Sequence, residues 1–378
     1  MAGKITEFRI GLLAEITTVP EFLQGSYYST LDGLRGLSIL LVLSAHFGIN
    51  HYLRPYRLFV DSSIGVHIFF VLSGFLITTL LLKEKILYGK ISLKRFYLRR
   101  ALRIIPVAYL FLFVLFILNF CYRLKVTPVD FMASLLFLKN LPLETSVFTA
   151  HLWSLAVEEQ FYLTFPFLLA FSVNRYTTIT IVIIIATPFV SVLVLYLPEV
   201  VFSNYTIRIL TKIAMYSFWK GPLIILIGSL FSILSFKGII KAEGKSSNRY
   251  SGIILLALAI VIHTKTFIFY NKYCSEYLSA CLISYAILLS IKGNSLISTI
   301  LNNVLLRRFG TLSYSIYIWQ ELFIGGPAWQ PWLQSWTGMP FALVMILKVP
   351  CVLLLASVSY YLVELNFLKL KQRISIIR

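Results

Sequence analysis

Residues 32–48 read DGLRGLSILLVLSAHFG, and the fold turns on whether this run is a soluble core segment or a membrane span. Between Arg35 and His46 it is almost wholly apolar, and runs near the ~20-residue length of a bilayer crossing recur along the whole chain. Mean hydropathy is +0.84, with 58% hydrophobic and 13% charged residues over 378 positions. Ordinary globular chains are roughly 25% charged, so this chain has too little polar surface to cover a soluble domain. The reading is an all-α, polytopic membrane helix bundle of about ten transmembrane helices. Spans are placed near 34–53, 64–82, 104–121, 151–171, 177–197, 213–235, 251–270, 276–291, 309–326 and 340–365. No soluble domain, Gly/Ser linker, low-complexity tract or internal repeat interrupts them. Residues 1–378 therefore read as one integral-membrane domain, with its membrane core at about 27–365. The first 25 residues lack a basic segment, apolar core and small-residue cleavage site in order, so no cleaved signal peptide is expected.

Ten spans put both termini on one side, and charge says which. With the N-terminus inside, more than twice as many of the 34 Lys and Arg residues fall in cytoplasmic segments as in outer loops. Basic residues near the membrane stay cytoplasmic, so both termini are read as cytoplasmic. The same distribution accounts for the net charge of +19 without nucleic acid as a partner. The four cysteines (Cys121, Cys274, Cys281, Cys351) lie in or beside apolar spans with no CxxC pair. They read as small core residues, and no metal site or bound cofactor follows from them.

Ionisable residues inside a span are costly and usually face a protein interior or a watery cavity. Arg35 and His46 are 11 residues apart, which on an α-helix leaves them about 20° from alignment and about 16 Å apart. Asp32, three residues before Arg35, shares that side. Singly, Arg35 reads as a snorkelling anchor and His46 as a core histidine. Aligned, they describe a polar track from the cytoplasmic surface into the membrane.

Four other stretches carry chemistry. In KISLKRFYLRRALRIIP (90–106), Arg100 and Arg103 are spaced i, i+3 at a helix start. Guanidinium groups grip phosphate bidentately, so the pair suits a phosphorylated, nucleotide-like ligand as well as plain topology and lipid headgroups. In HLWSLAVEEQFYLTFP (151–166), Ser154 and Glu158 are i, i+4 and share one side. In GVHIFFVLSGFLI (65–77), His67 starts a span and Ser73-Gly74 permit close helix contact. FGTLSYSIYIWQ (309–320) is small and aromatic and ends at Gln320.

In this order the five stretches resemble the membrane-bound acyltransferase family 3, which O-acylates bacterial surface sugars. The resemblance covers about residues 27–365 and is strongest over 30–166. Arg35 and His46 match its basic residue, ten others, then histidine. Arg100 and Arg103 match RxxR. Trp153, Ser154, Leu155 and Glu158 match WSLxxE, and Ser313, Tyr314 and Tyr317 match SYxxY. Two positions depart: His67 stands where the family usually has an aspartate, and Gln320 where it often has a histidine. The chain also stops about a dozen residues past the tenth span, which the resemblance reads as the stand-alone form without an SGNH domain.

The resemblance implies a membrane O-acyltransferase, with acetyl as the expected acyl group, in the bacterial inner membrane. A sugar hydroxyl is a poor nucleophile until a base takes its proton, and His46 is the natural base. Arg35, Arg100 and Arg103 would hold the phosphates of acyl-CoA on the cytoplasmic side. Glu158 and Ser154 would orient the imidazole or the acceptor, a surface glycan or lipid-linked saccharide. A transporter or flippase is the competing class, because carriers also place Arg, His and Glu inside the membrane. The missing two-fold repeat and unmatched helix breaks speak against it.

Overall fold

The structure, a computed structural model, describes residues 11–12, 14–53, 61–141, 143, 145–196, 204–206, 221–240, 249–263, 272–293, 295–324 and 341–374. Every regular element among them is helical. The opening stretch forms α1 (Ser29–His46), and α2 (Ser62–Tyr88) follows. Asp61 caps α2, its carboxylate accepting from the Ser63 N–H at 2.9 Å, and Gly89 ends it at φ 71°. α3 (Leu93–Tyr122) and the short α4 (Pro128–Leu135) lead to α5 (Leu152–Phe171) and α6 (Val173–Tyr196). Next come α7 (Pro222–Phe236), α8 (Ser251–His263), α9 (Lys272–Ile291) and α10 (Leu296–Leu301). α11 (Val304–Trp319) precedes α12 (Phe341–Ser359), which passes through a π-helical turn at Tyr360–Glu364 into α13 (Leu365–Ile374).

Four described segments are long and apolar enough to cross a membrane: α2, α3, Cys274–Ile291 and Leu347–Ile374. Val173–Phe189, α7 and α8 are shorter apolar helices. The chain is thus an all-α membrane bundle. The spans expected at 177–197, 213–235, 251–270, 309–326 and 340–365 extend partly outside the described residues.

Three expectations are corrected. The first span does not run unbroken to residue 53: α1 stops at His46, Gly48 takes φ 89°, and a separate short helix covers Ile49–Leu53. Arg100 and Arg103 do not stand at a helix start: α3 begins at Leu93, because Leu, Lys, Arg and Ala there are all good helix formers. Only two of the cysteines adjoin the core: Cys281 and Cys351 are half-buried against it, whereas Cys121 and Cys274 are exposed.

Two helix crossings set the register of the polar residues. A Cβ on Gly36 would stand 1.9 Å from the Leu306 carbonyl oxygen, so α1 and α11 meet backbone to backbone. A Cβ on Gly74 would stand 1.9 Å from the Ile225 carbonyl oxygen, which joins α2 to α7 in the same way. Lipid is as apolar as leucine, so such close van der Waals fits, rather than hydrophobic burial, hold membrane helices together. Arg35 adjoins the first crossing and Ser73 the second.

Candidate active site

α1, α2, α3, α5 and α11 enclose a cavity of about 100 Å³. Its wall includes Arg35, Arg100, Arg103, Ser154 and Glu158, together with Ser73, Tyr162, Ser313, Tyr314 and Tyr317. Five of the sequence-derived site residues thus come together from three helices. The i, i+3 spacing of the two arginines and the i, i+4 spacing of Ser154 and Glu158 each place both members on the cavity wall.

The cationic end is held by named partners. Arg35 donates to Asp32 at 2.6 Å, and the other oxygen of Asp32 accepts from the Tyr27 hydroxyl at 2.6 Å. Asp32 therefore serves the site indirectly, by fixing Arg35. The Arg100 guanidinium lies 4.9 Å from the Tyr162 ring centre and 5.7 Å from that of Phe96. Stacking uses the flat face of the guanidinium and leaves its N–H edge for an anion. Tyr314 donates to the Ile104 carbonyl at 2.6 Å, which ties α3 to α11 immediately after Arg103. A second cavity shares Arg100 and Ile77 with the first and adds Arg99 and Lys371. Arg99 is paired with Glu84 at 3.2 Å.

Glu158 accepts a 2.7 Å hydrogen bond from Ser73. Ser154 and Tyr317 share a hydrogen bond of 2.6 Å, and Tyr317 donates to the His151 carbonyl at 2.8 Å. Ser154 also donates to that carbonyl, at 3.2 Å. The loop before α5 is anchored at Asp130, which pairs with buried Lys139 and accepts from the Ser146 N–H at 2.8 Å and the Thr149 hydroxyl at 2.8 Å.

His46, at the end of α1, lies outside the wall of this cavity. The Gln320 side chain faces its imidazole, and His151 lies within electrostatic reach of it. Ser154 and Glu158 make their described hydrogen bonds elsewhere, to Tyr317, the His151 carbonyl and Ser73. His67 is buried against His263, ring centres 4.6 Å apart and nearly perpendicular, and His263 bonds Ser63 at 2.8 Å.

Several site residues escape sequence reasoning. His263 sits at the end of an apolar helix with no motif around it, and Lys371 reads as a topology charge. Tyr162 had a usable signal, because it follows Glu158 by four residues and must share its face. Among the described residues no cluster of His, Cys, Asp and Glu could hold a metal ion.

Residues 28–361 match the family model of an acyltransferase domain. The chain belongs to this acyltransferase family. It is 29% identical over 373 residues to the peptidoglycan O-acetyltransferase OatA of Listeria monocytogenes, covering 89% of this chain and 55% of that protein. It is 26% identical over 360 residues to the O-acetyltransferase OatA of Staphylococcus aureus, covering 89% of this chain and 57% of that one. The chain therefore spans little more than half the length of these relatives. No solved structure matches it.

Proposed function

We propose that this chain transfers an acyl group, acetyl in the first instance, from cytoplasmic acyl-CoA to a hydroxyl of a surface or lipid-linked glycan. The observation that carries the reading is the cavity in which Arg35, Arg100 and Arg103 converge beside Glu158 and Ser154. With Arg35 paired to Asp32, three guanidiniums meet two carboxylates, Asp32 and Glu158, and the excess of positive charge that remains suits the phosphates of CoA. His46, about three turns beyond Arg35 on α1, is the general base that takes the acceptor proton as its oxygen attacks the thioester. The protein is a multi-pass protein of the bacterial inner membrane, its arginine end and both termini cytoplasmic. The acetyl-transferring relatives and the positive cavity favour transfer over passive transport.

The test is the purified full chain in detergent with radiolabelled acetyl-CoA and peptidoglycan oligosaccharides. Label should move to carbohydrate, or to water as free acetate. His46→Ala should abolish this while the protein still inserts and binds CoA. A well-inserted His46→Ala variant with wild-type turnover removes His46 as base. A wild type that never consumes acetyl-CoA removes the donor.

A further inference from the structure

Buried polar groups are hydrogen-bonded in almost every native structure, so a cluster of unpaired ones requires an explanation. Such a cluster surrounds His46. Both ring nitrogens of His151 and both amide atoms of Gln320 have no hydrogen-bond partner among the described residues, and neither do Nδ1 of His46 and Nε1 of Trp319. His151 is 4% exposed and Gln320 0%.

His151 is fixed without the use of its nitrogens. Its ring stands edge-on to Phe111 at 5.4 Å and packs against Tyr317 at 5.6 Å. Its carbonyl is held by Tyr317 and Ser154. The Ile318 carbonyl approaches the ring without closing a hydrogen bond. Phe111 also packs against Trp319, ring centres 5.7 Å apart, so aromatic rings line this corner. Tyr317 borders the arginine cavity on one side and His151 on the other, so the cluster continues the line of that cavity.

Buried, unpaired N–H donors beside a general base are what a developing oxyanion requires. We propose that His151 and Gln320 form the oxyanion site of acyl transfer, each donating an N–H to the carbonyl oxygen of the acyl group. The inference rests on the reading of His46 as base. The acceptor oxygen gives its proton to His46 and bonds to the carbonyl carbon. The C=O electron pair moves onto oxygen, where the two N–H groups hold it. The pair returns, the C–S bond breaks, and the thiolate leaves with the proton from His46. Acyl-CoA and an alcohol become an ester and CoA thiol.

The test measures CoA thiol release from acetyl-CoA, with water and peptidoglycan oligosaccharides as acceptors, on the full chain in detergent. His151→Leu and Gln320→Leu should each lower kcat by about 10²–10³-fold. The dissociation constant for CoA should hold, because the interaction exists only in the transition state. The thermal midpoint of His151→Leu should hold or rise, since an apolar side chain replaces an unpaired polar one. His151→Gln, which keeps an N–H, should recover part of the rate. Wild-type kcat in His151→Leu overturns the proposal. So does a loss of rate that comes with weakened CoA binding or a lowered midpoint, which would mark His151 as structural. An active His46→Ala variant would remove the base alone, leaving the leucine variants to judge the oxyanion site.

Discussion

Glu158 shares the cavity wall with three guanidiniums and accepts a hydrogen bond from Ser73. Replacing it by glutamine keeps the shape and that bond while removing one negative charge from the cavity. The sign of the effect on an anionic donor follows: each phosphate meets less repulsion, so CoA should bind more tightly to Glu158→Gln. At a separation of several ångströms and the effective dielectric of a partly wet site, one charge is worth about 1–3 kcal/mol, or about 5–150-fold in affinity. If the carboxylate also orients the reacting groups, kcat should fall while affinity rises. Titration with CoA and steady-state turnover of the same preparation separate the two. Weaker CoA binding in Glu158→Gln would show that the carboxylate holds the arginines in place rather than opposing the donor.

At the scale of elements, Gly74 lets the backbones of α2 and α7 meet, while Ser73 beside it on α2 donates to Glu158 of α5. A methyl group at 74 would stand 1.9 Å from a carbonyl oxygen, and backbone cannot step aside as a side chain can. Gly74→Ala should therefore force the helices apart, lowering the thermal midpoint and the yield of folded protein. Ser73→Ala, one residue away, should leave the midpoint almost unchanged and affect turnover only. Equal midpoints for the two variants would mean that the crossing is not tight. Helix existence and the one-helix geometry of Arg35, Arg100 with Arg103, and Ser154 with Glu158 were legible in the sequence, because a 3.6-residue period fixes which neighbours share a face. Pairings between helices were not. Nothing local to His67 announces His263, nearly 200 residues on, and nothing local to Gly74 announces the carbonyl it meets. His151 was visible two residues before the WSL stretch, but its unpaired nitrogens are a property of the packing alone.

For the whole molecule, the arginines and the histidines form separate groups. Arginines and Lys371 gather at one end, and four of the five histidines stand at the ends of α1 and α8 and the starts of α2 and α5. An α-helix puts Arg35 and His46 about 16 Å apart, roughly half the ~30 Å hydrocarbon thickness, so a donor gripped by its phosphates at one face could present its thioester within the membrane. CoA is too highly charged to cross lipid, so the reaction should be sided. In sealed membrane vesicles with the cytoplasmic face outward, added acetyl-CoA should be consumed. In vesicles of the opposite orientation it should not be, until detergent opens them. Added salt should raise the apparent KM in the first case, since ions screen the attraction between phosphates and the arginine cavity. Consumption of acetyl-CoA by intact vesicles with the outer face exposed would place the donor on the histidine side and reverse the direction of transfer argued from the arginines.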